Sequence, residues 1–129
     1  MISYGFRQML AEANAQVASI SVQDALGLVS DDDTLFVDVR ESGEQAKGMI
    51  TGAVSAPRGF LEFIADPEGP MHNEALVSGK QLVIYCGTGG RSALSAMTLD
   101  KMGIDKVVNL TGGFAAWNEA GGATESGKS

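Results

Sequence analysis

The chain has 129 residues, of which 44% are apolar, enough for one domain with its own core. Nine Lys and Arg against 16 Asp and Glu leave a formal net charge of −7, which argues against a general nucleic-acid coat or a polybasic membrane anchor. A single cysteine, Cys86, among 17 glycines excludes an internal disulfide, a CxxC redox pair and any cysteine-rich metal site.

In chain order, residues 2–18 are predicted to form an amphipathic helix, with Ile2, Phe6, Met9, Leu10, Ala13 and Val17 near 3.6-residue spacing. Ser21 with Asp24 three residues later reads as a capping box, opening a short helix with Val22, Ala25, Leu26 and Val29 on its apolar face. The acidic turn Ser30–Asp33 leads into LFVDV (35–39), an apolar run of strand length. Ser42 and Gln45 suggest a second capping box and a brief helix over 43–47, with Glu41 and Glu44 as a solvated helix start. AVSA (53–56) is a short strand, and a helix over 59–65 follows, ended by the Asp66–Pro70 loop.

QLVIYC (81–86) is continuous and rich in β-branched residues, as expected of a strand buried on both faces. A helix from Ser92 to Met102 ends at Gly103, KVVNL (106–110) is a further strand, and Phe114–Ala120 is the last helix. The terminal GGATESGKS is expected to fray. Alternating strands and helices imply an α/β fold with a mostly parallel sheet covered by helices. Ligands in such folds bind at the carboxyl ends of the strands, where Cys86 falls.

The loop Cys86-Gly87-Thr88-Gly89-Gly90-Arg91-Ser92 joins strand to helix. Its glycines let the backbone curl with N–H groups turned inward, and the following helix adds the positive end of its dipole. A thiol in that nest should be acidified and hence nucleophilic. Arg91 adds a fixed positive charge. The spacing is C-x4-R, one residue short of the C-x5-R bowl that phosphatases close around a tetrahedral phosphate. The smaller cradle suits a sulfur atom carried on cysteine.

Three separated segments resemble the single-domain rhodanese family, across residues 20–122. FVDVRESGEQAKGMITGAVSAP is similar to its D-x-R-x-x-x-E-x-x-x-G-H-I-x-G-A segment, with Asp38, Arg40, Glu44, Gly48, Ile50, Gly52 and Ala53 in register. VIYCGTGGRSALSA resembles its six-residue active loop and LTGGFAAW its closing G-G-x-x-x-W. The resemblance implies a three-layer fold around a five-stranded, mostly parallel sheet. It also implies a sulfurtransferase in which Cys86 takes sulfane sulfur from thiosulfate or a persulfide donor and passes it to a thiol or cyanide. Gly87, Thr88, Gly89, Gly90, Arg91 and Ser92 would bind the substrate, with no cofactor and no metal. A sulfur-relay module loaded by a protein partner is the alternative, and a related phosphatase or arsenate reductase a more distant one. Met49 stands where the family often has histidine, and Gly87 where active members often have arginine.

Asp38 and Arg40 could orient a substrate or form a buried ion pair, and Arg58 could lie at the rim or in solvent. His72, without clustered ligands, reads as structural, and Trp117 as packing for the last helix. The expected organisation is an N-terminal helix over 1–19, used for packing or docking, the domain over 20–122 and a flexible tail over 123–129. No apolar run approaches the ~18 residues of a membrane helix. The N-terminus lacks a basic segment followed by an apolar core, and a lone thiol suits a reducing, cytoplasmic setting.

Overall fold

The computed structural model describes residues 1–126. Five strands form one parallel sheet: β1 (Ala18–Ile20), β2 (Thr34–Asp38), β4 (Val54–Ser55), β5 (Gln81–Tyr85) and β6 (Val107–Leu110), in the order β1-β6-β5-β2-β4. The connection from β2 runs outward to β4, whereas that from β5 runs the other way to β6. The carboxyl ends of β2 and β5 therefore flank the point where the winding reverses, and Cys86 follows β5 there.

Alternation along β5 builds two cores. Leu82, Ile84 and Cys86 join Val37, Val39, Leu61, Ala96 and Leu99 on one face, where α1 (Phe6–Gln16), α4 (Leu61–Ala65) and α5 (Gly90–Lys101) pack. Val83 and Tyr85 join Val22, Phe36, Leu110 and Trp117 on the other, under α2 (Val22–Ala25) and α6 (Gly113–Glu119). Helices on both faces of a parallel sheet explain why β5 reads as an unbroken apolar run. Trp117 is fully buried, meets Phe36 edge-on and donates its indole N–H to the Ala123 carbonyl, the packing role expected of it. The His72 ring donates from Nδ1 to the Ile64 carbonyl, and its main-chain N–H to the Gly69 carbonyl, in a loop beside α4.

Several boundaries differ from expectation. The first helix starts at Phe6, with Ile2 and Phe6 exposed, and ends at Gln16; Ala18–Ile20 is strand β1, pairing with Val108–Leu110. The edge of β6 offers a hydrogen-bond ladder that outweighs helical periodicity at Ala18, the last residue of the expected helix. Ser21 caps α2 through the Asp24 N–H as expected. At α3 (Ser42–Gln45), however, the cap is Glu41 with Glu44, one residue ahead of the expected Ser42–Gln45 box.

Gln45 is buried instead. Its amide donates to the carbonyls of Asp38 and Arg40 and its oxygen accepts from the Ser55 hydroxyl, which stitches α3 to the ends of β2 and β4. Residues 124–125 of the segment expected to fray instead form β7 (Thr124–Glu125), which pairs antiparallel with β3 (Met49–Ile50). The rest of the expected tail, residues 127–129, lies outside the described residues. Met49 is buried in that small ribbon, so its side chain serves packing. No helix among the described residues is long and apolar enough to cross a membrane.

Candidate active site

The ends of three strands converge beneath the glycine loop. Register aligns Asp38 of β2 with Tyr85 of β5, and Ile84 of β5 with Asn109 of β6. Cys86, one residue beyond β5, is 1% exposed. The Gly89 N–H donates to its Sγ at 3.1 Å, and the Ser92 hydroxyl lies 3.4 Å from it. Gly89 adopts φ 115°, a left-handed conformation that side chains disfavour, and this lets it cap α5 while turning its N–H onto the sulfur. The helix itself starts at Gly90, two residues earlier than expected, so the loop's last residues form its first turn.

Burial pushes the Cys86 thiol up, but the Ser92 hydroxyl and the N–H groups of Ser92, Gly89 and Thr88 outweigh it. The net shift is downward. The loop is held from behind by α6. The Phe114 N–H donates to the Cys86 carbonyl at 2.8 Å and the Ala115 N–H to the Gly87 carbonyl at 3.1 Å. With those carbonyls turned toward α6, the loop's N–H groups are left facing the sulfur.

Arg91 makes a two-point ion pair with Glu44, Nη1 to Oε1 at 2.7 Å and Nη2 to Oε2 at 2.9 Å. Its guanidinium also faces Cys86, and both Glu44 and that sulfur raise its pKa. A Cβ on Gly87 would come within 3.3 Å of the Arg91 Nη2, so the absent side chain leaves the guanidinium its place. Glu44, expected in solvent, is thus part of the site. Its carboxyl is held down to about 2, first by the bond from Arg91.

A carboxyl lowered from 4.5 stabilises the fold fully above about pH 4.5, and that contribution disappears as pH falls toward 2. Both side chains are more than a third exposed, at 38% and 39%, so water screening keeps the effect below about 1 kcal/mol. Glu44→Gln is expected to lower the urea midpoint at pH 7 by that modest amount. The gap to wild type should close between pH 4.5 and 2; a gap independent of pH would show that the pair is not its source.

Asp38 and Arg40 form the buried ion pair, Nη2 to Oδ2 at 2.8 Å, and Arg40 also donates to the Gly48 carbonyl at 2.6 Å. The guanidinium lies 4.2 Å from the Phe114 ring centre, and the Tyr85 hydroxyl accepts from the Ile50 N–H at 3.0 Å. This network sits on the Tyr85 face, opposite the sulfur. It ties α6, β3 and the end of β2 together beneath the loop. Arg58 is brought to the end of β2 by its N–H bond to the Val39 carbonyl, with its side chain exposed. Thr88 is exposed as well.

Asn109 was not singled out by its sequence, yet it is 6% exposed and bonded to the loop at two points. Alternation along β6 carried the signal: Asn109 is a polar residue on the face that it shares with Val107 and the first core. Among the described residues no group of three or more His, Cys, Asp or Glu is arranged to hold a metal.

A sequence model of the Rhodanese-like domain matches residues 21–120. A protein named "Sulfurtransferase" from Allochromatium vinosum is 33% identical over 94 residues, 73% of this chain and 80% of its own. The "Putative sulfur carrier protein YrkF" of Bacillus subtilis is 34% identical over 108 residues, 83% of this chain but 54% of its own, so the chain spans about half of that relative. A solved structure from Rhodopseudomonas palustris, RPA3614, described as a "Possible Tyrosine Phosphatase" of unknown function, superposes with TM-score 0.92 at 39% identity, over 97% of both chains.

Proposed function

The chain belongs to the rhodanese-like domain family, and on that premise we propose that it is a sulfurtransferase working through a persulfide on Cys86. The observation that carries the reading is the sulfur held in a ring of inward N–H groups, closed after four residues by Arg91.

The Cys86 thiolate attacks the outer sulfur of a donor. With thiosulfate, the S–S bond breaks, sulfite leaves with the bonding pair, and Cys86 keeps the second sulfur as a persulfide anion. The N–H groups of Thr88, Gly89 and Ser92 supply fixed positive ends for the charge that stays in the nest. A thiolate or cyanide then attacks the outer sulfur, and the bonding pair returns to Cys86 as thiolate. No electron source is needed, and the reaction suits a reducing cytoplasm. The role of Gly87, Gly90 and Arg91 is to shape and close the ring, while Asp38 and Arg40 hold its support in place.

One observation favours a persulfide donor, small or protein-borne, over thiosulfate. Arg91, the guanidinium that faces the sulfur, is already matched by Glu44, and Gly87 adds no charge. A dianion thus meets a neutralised mouth on a protein of net charge −7. This makes a sulfur-relay role, with a cysteine desulfurase or similar protein as donor, the second reading.

Incubation with thiosulfate, and separately with a small persulfide, followed by intact-mass measurement tests both. A 32 Da gain removed by cyanide is expected, faster with the persulfide. No adduct from either donor or from a desulfurase would sink the transfer reading. Cys86-dependent hydrolysis of an aryl phosphate would instead favour the phosphatase description of the R. palustris protein.

A further inference from the structure

Ser92 is fully buried, and its hydroxyl stands between two acceptors with one proton to give. One is the Asn109 Oδ1 at 2.6 Å, the other the Cys86 Sγ at 3.4 Å. The Asn109 amide is oriented by its other end, since Nδ2 donates to the Gly89 carbonyl at 3.3 Å and leaves Oδ1 toward Ser92. Gly89 is the same residue whose N–H meets the sulfur. Asn109 therefore touches two of the groups that face Sγ without facing it itself.

We propose that Asn109 is a positioning residue that competes with the sulfur for the Ser92 proton, so that the hydroxyl is a two-position switch set by the charge on Cys86. This deepens the reading of Cys86 as the sulfur-bearing nucleophile and rests on it. With a neutral thiol, the S–H can donate to the Ser92 oxygen while the hydroxyl proton stays on Asn109. When the sulfur ionises it becomes the stronger acceptor; the hydroxyl turns to it, and Asn109 Oδ1 loses its partner. Ionisation is thus opposed by a bond that must be given up, and Asn109 restrains the acidity that the nest creates.

The charged groups around the sulfur are few. From α5 comes Arg91 and from α3 its partner Glu44. The Asp38–Arg40 pair at the end of β2 lies on the Tyr85 face of the sheet. The strand β6 contains no ionisable residue, and α6 meets the loop through its uncharged first turn.

The test is the pH dependence of alkylation of Cys86 by iodoacetamide, clean because the chain has one cysteine. Ser92→Ala removes a donor and should move the midpoint up. Asn109→Leu frees the hydroxyl for the sulfur and should move it down by about one pH unit, a roughly tenfold gain in thiolate below the midpoint. In the Ser92→Ala background the Asn109→Leu shift should vanish. A rise with Asn109→Leu, or an unchanged shift in the double variant, overturns the proposal.

Leucine also strips the Gly89 carbonyl of its donor and could prevent folding. Asn109→Asp, which loses that donor too but keeps the side chain's shape and its acceptor toward Ser92, is therefore the companion. Ser92→Ala is the variant that leaves the Gly89 contact intact. The aspartate holds the Ser92 proton more strongly and should raise the midpoint, with at least half of the rise lost when Ser92 is alanine. A rise of full size there would be plain charge repulsion and would overturn the switch. Alkylation needs no sulfur donor. Coupled midpoints without a 32 Da adduct would therefore sink the transfer reading alone, and an adduct with uncoupled midpoints would sink the switch alone.

Discussion

A Cys86→Ser protein is expected to fold as the wild type does and to take up no sulfur. The serine oxygen can accept the same N–H groups that surround Sγ, so no buried donor is orphaned, and stability should change by about 1 kcal/mol at most. Chemistry is a different matter. An alcohol does not ionise in this nest at neutral pH, and oxygen does not carry sulfane sulfur through the S–S exchange that a thiolate performs. Turnover with cyanide as acceptor, read as thiocyanate formed, should drop at least on the order of 10⁴-fold. The urea midpoint checks the fold, and intact mass checks the absence of the 32 Da gain. Appreciable residual turnover in a folded variant would mean that the sulfur is carried elsewhere, and no other cysteine is available in the chain.

The second large effect is structural and lies 27 residues beyond Cys86, at Gly113. Its φ is 59°, which costs an L-residue about 1 kcal/mol. Space is the greater obstacle. An added Cβ would stand 2.6 Å from the Cys86 carbonyl oxygen and 2.8 Å from the Gly87 carbonyl carbon and oxygen, all backbone. Those same carbonyls accept the Phe114 and Ala115 N–H groups. Alanine must therefore push the loop off α6, break both bonds and leave buried acceptors behind.

Gly113→Ala is expected to destabilise by about 3 kcal/mol or more. At a urea m-value of about 1–3 kcal/mol/M, that moves the midpoint by a molar unit or more. Sulfur loading should fall with it even under conditions where the variant stays folded, because the loop's N–H groups lose their orientation. A loss below about 1 kcal/mol with loading unchanged would show that α6 does not hold the loop.

What could be read from residues alone follows how local the cause is. The strand β5 was legible because burial on both faces leaves a continuous apolar run, and the loop because three glycines beside a cysteine have few other uses. The helix α5 was placed two residues late since Gly90, a poor helix former, is recruited by Gly89 in its left-handed conformation. The strand β1 is three residues long and exists because β6 presents an edge to it; no pattern within Ala18–Ile20 announces that.

The β3–β7 ribbon joins segments about 75 residues apart, a pairing no local signal carries. The clearest miss is Glu44. An acid at a helix start has a sufficient local reason to be there, and the Arg91 that claims it is 47 positions away.

Of the loop groups that face the sulfur, the N–H groups of Thr88, Gly89 and Ser92 are main chain, while the Ser92 hydroxyl and the Arg91 guanidinium are side chains. Peptide groups are common to all side chains, so the means of steadying the anion does not depend on what is displayed outward at the exposed Thr88. On the proposed function, reactivity at Cys86 is in this way separable from what the side chain at position 88 meets. A library at position 88 should change which donor is preferred while leaving the alkylation midpoint of Cys86 where it was. Such a protein can exchange partners by single substitutions without relearning its chemistry.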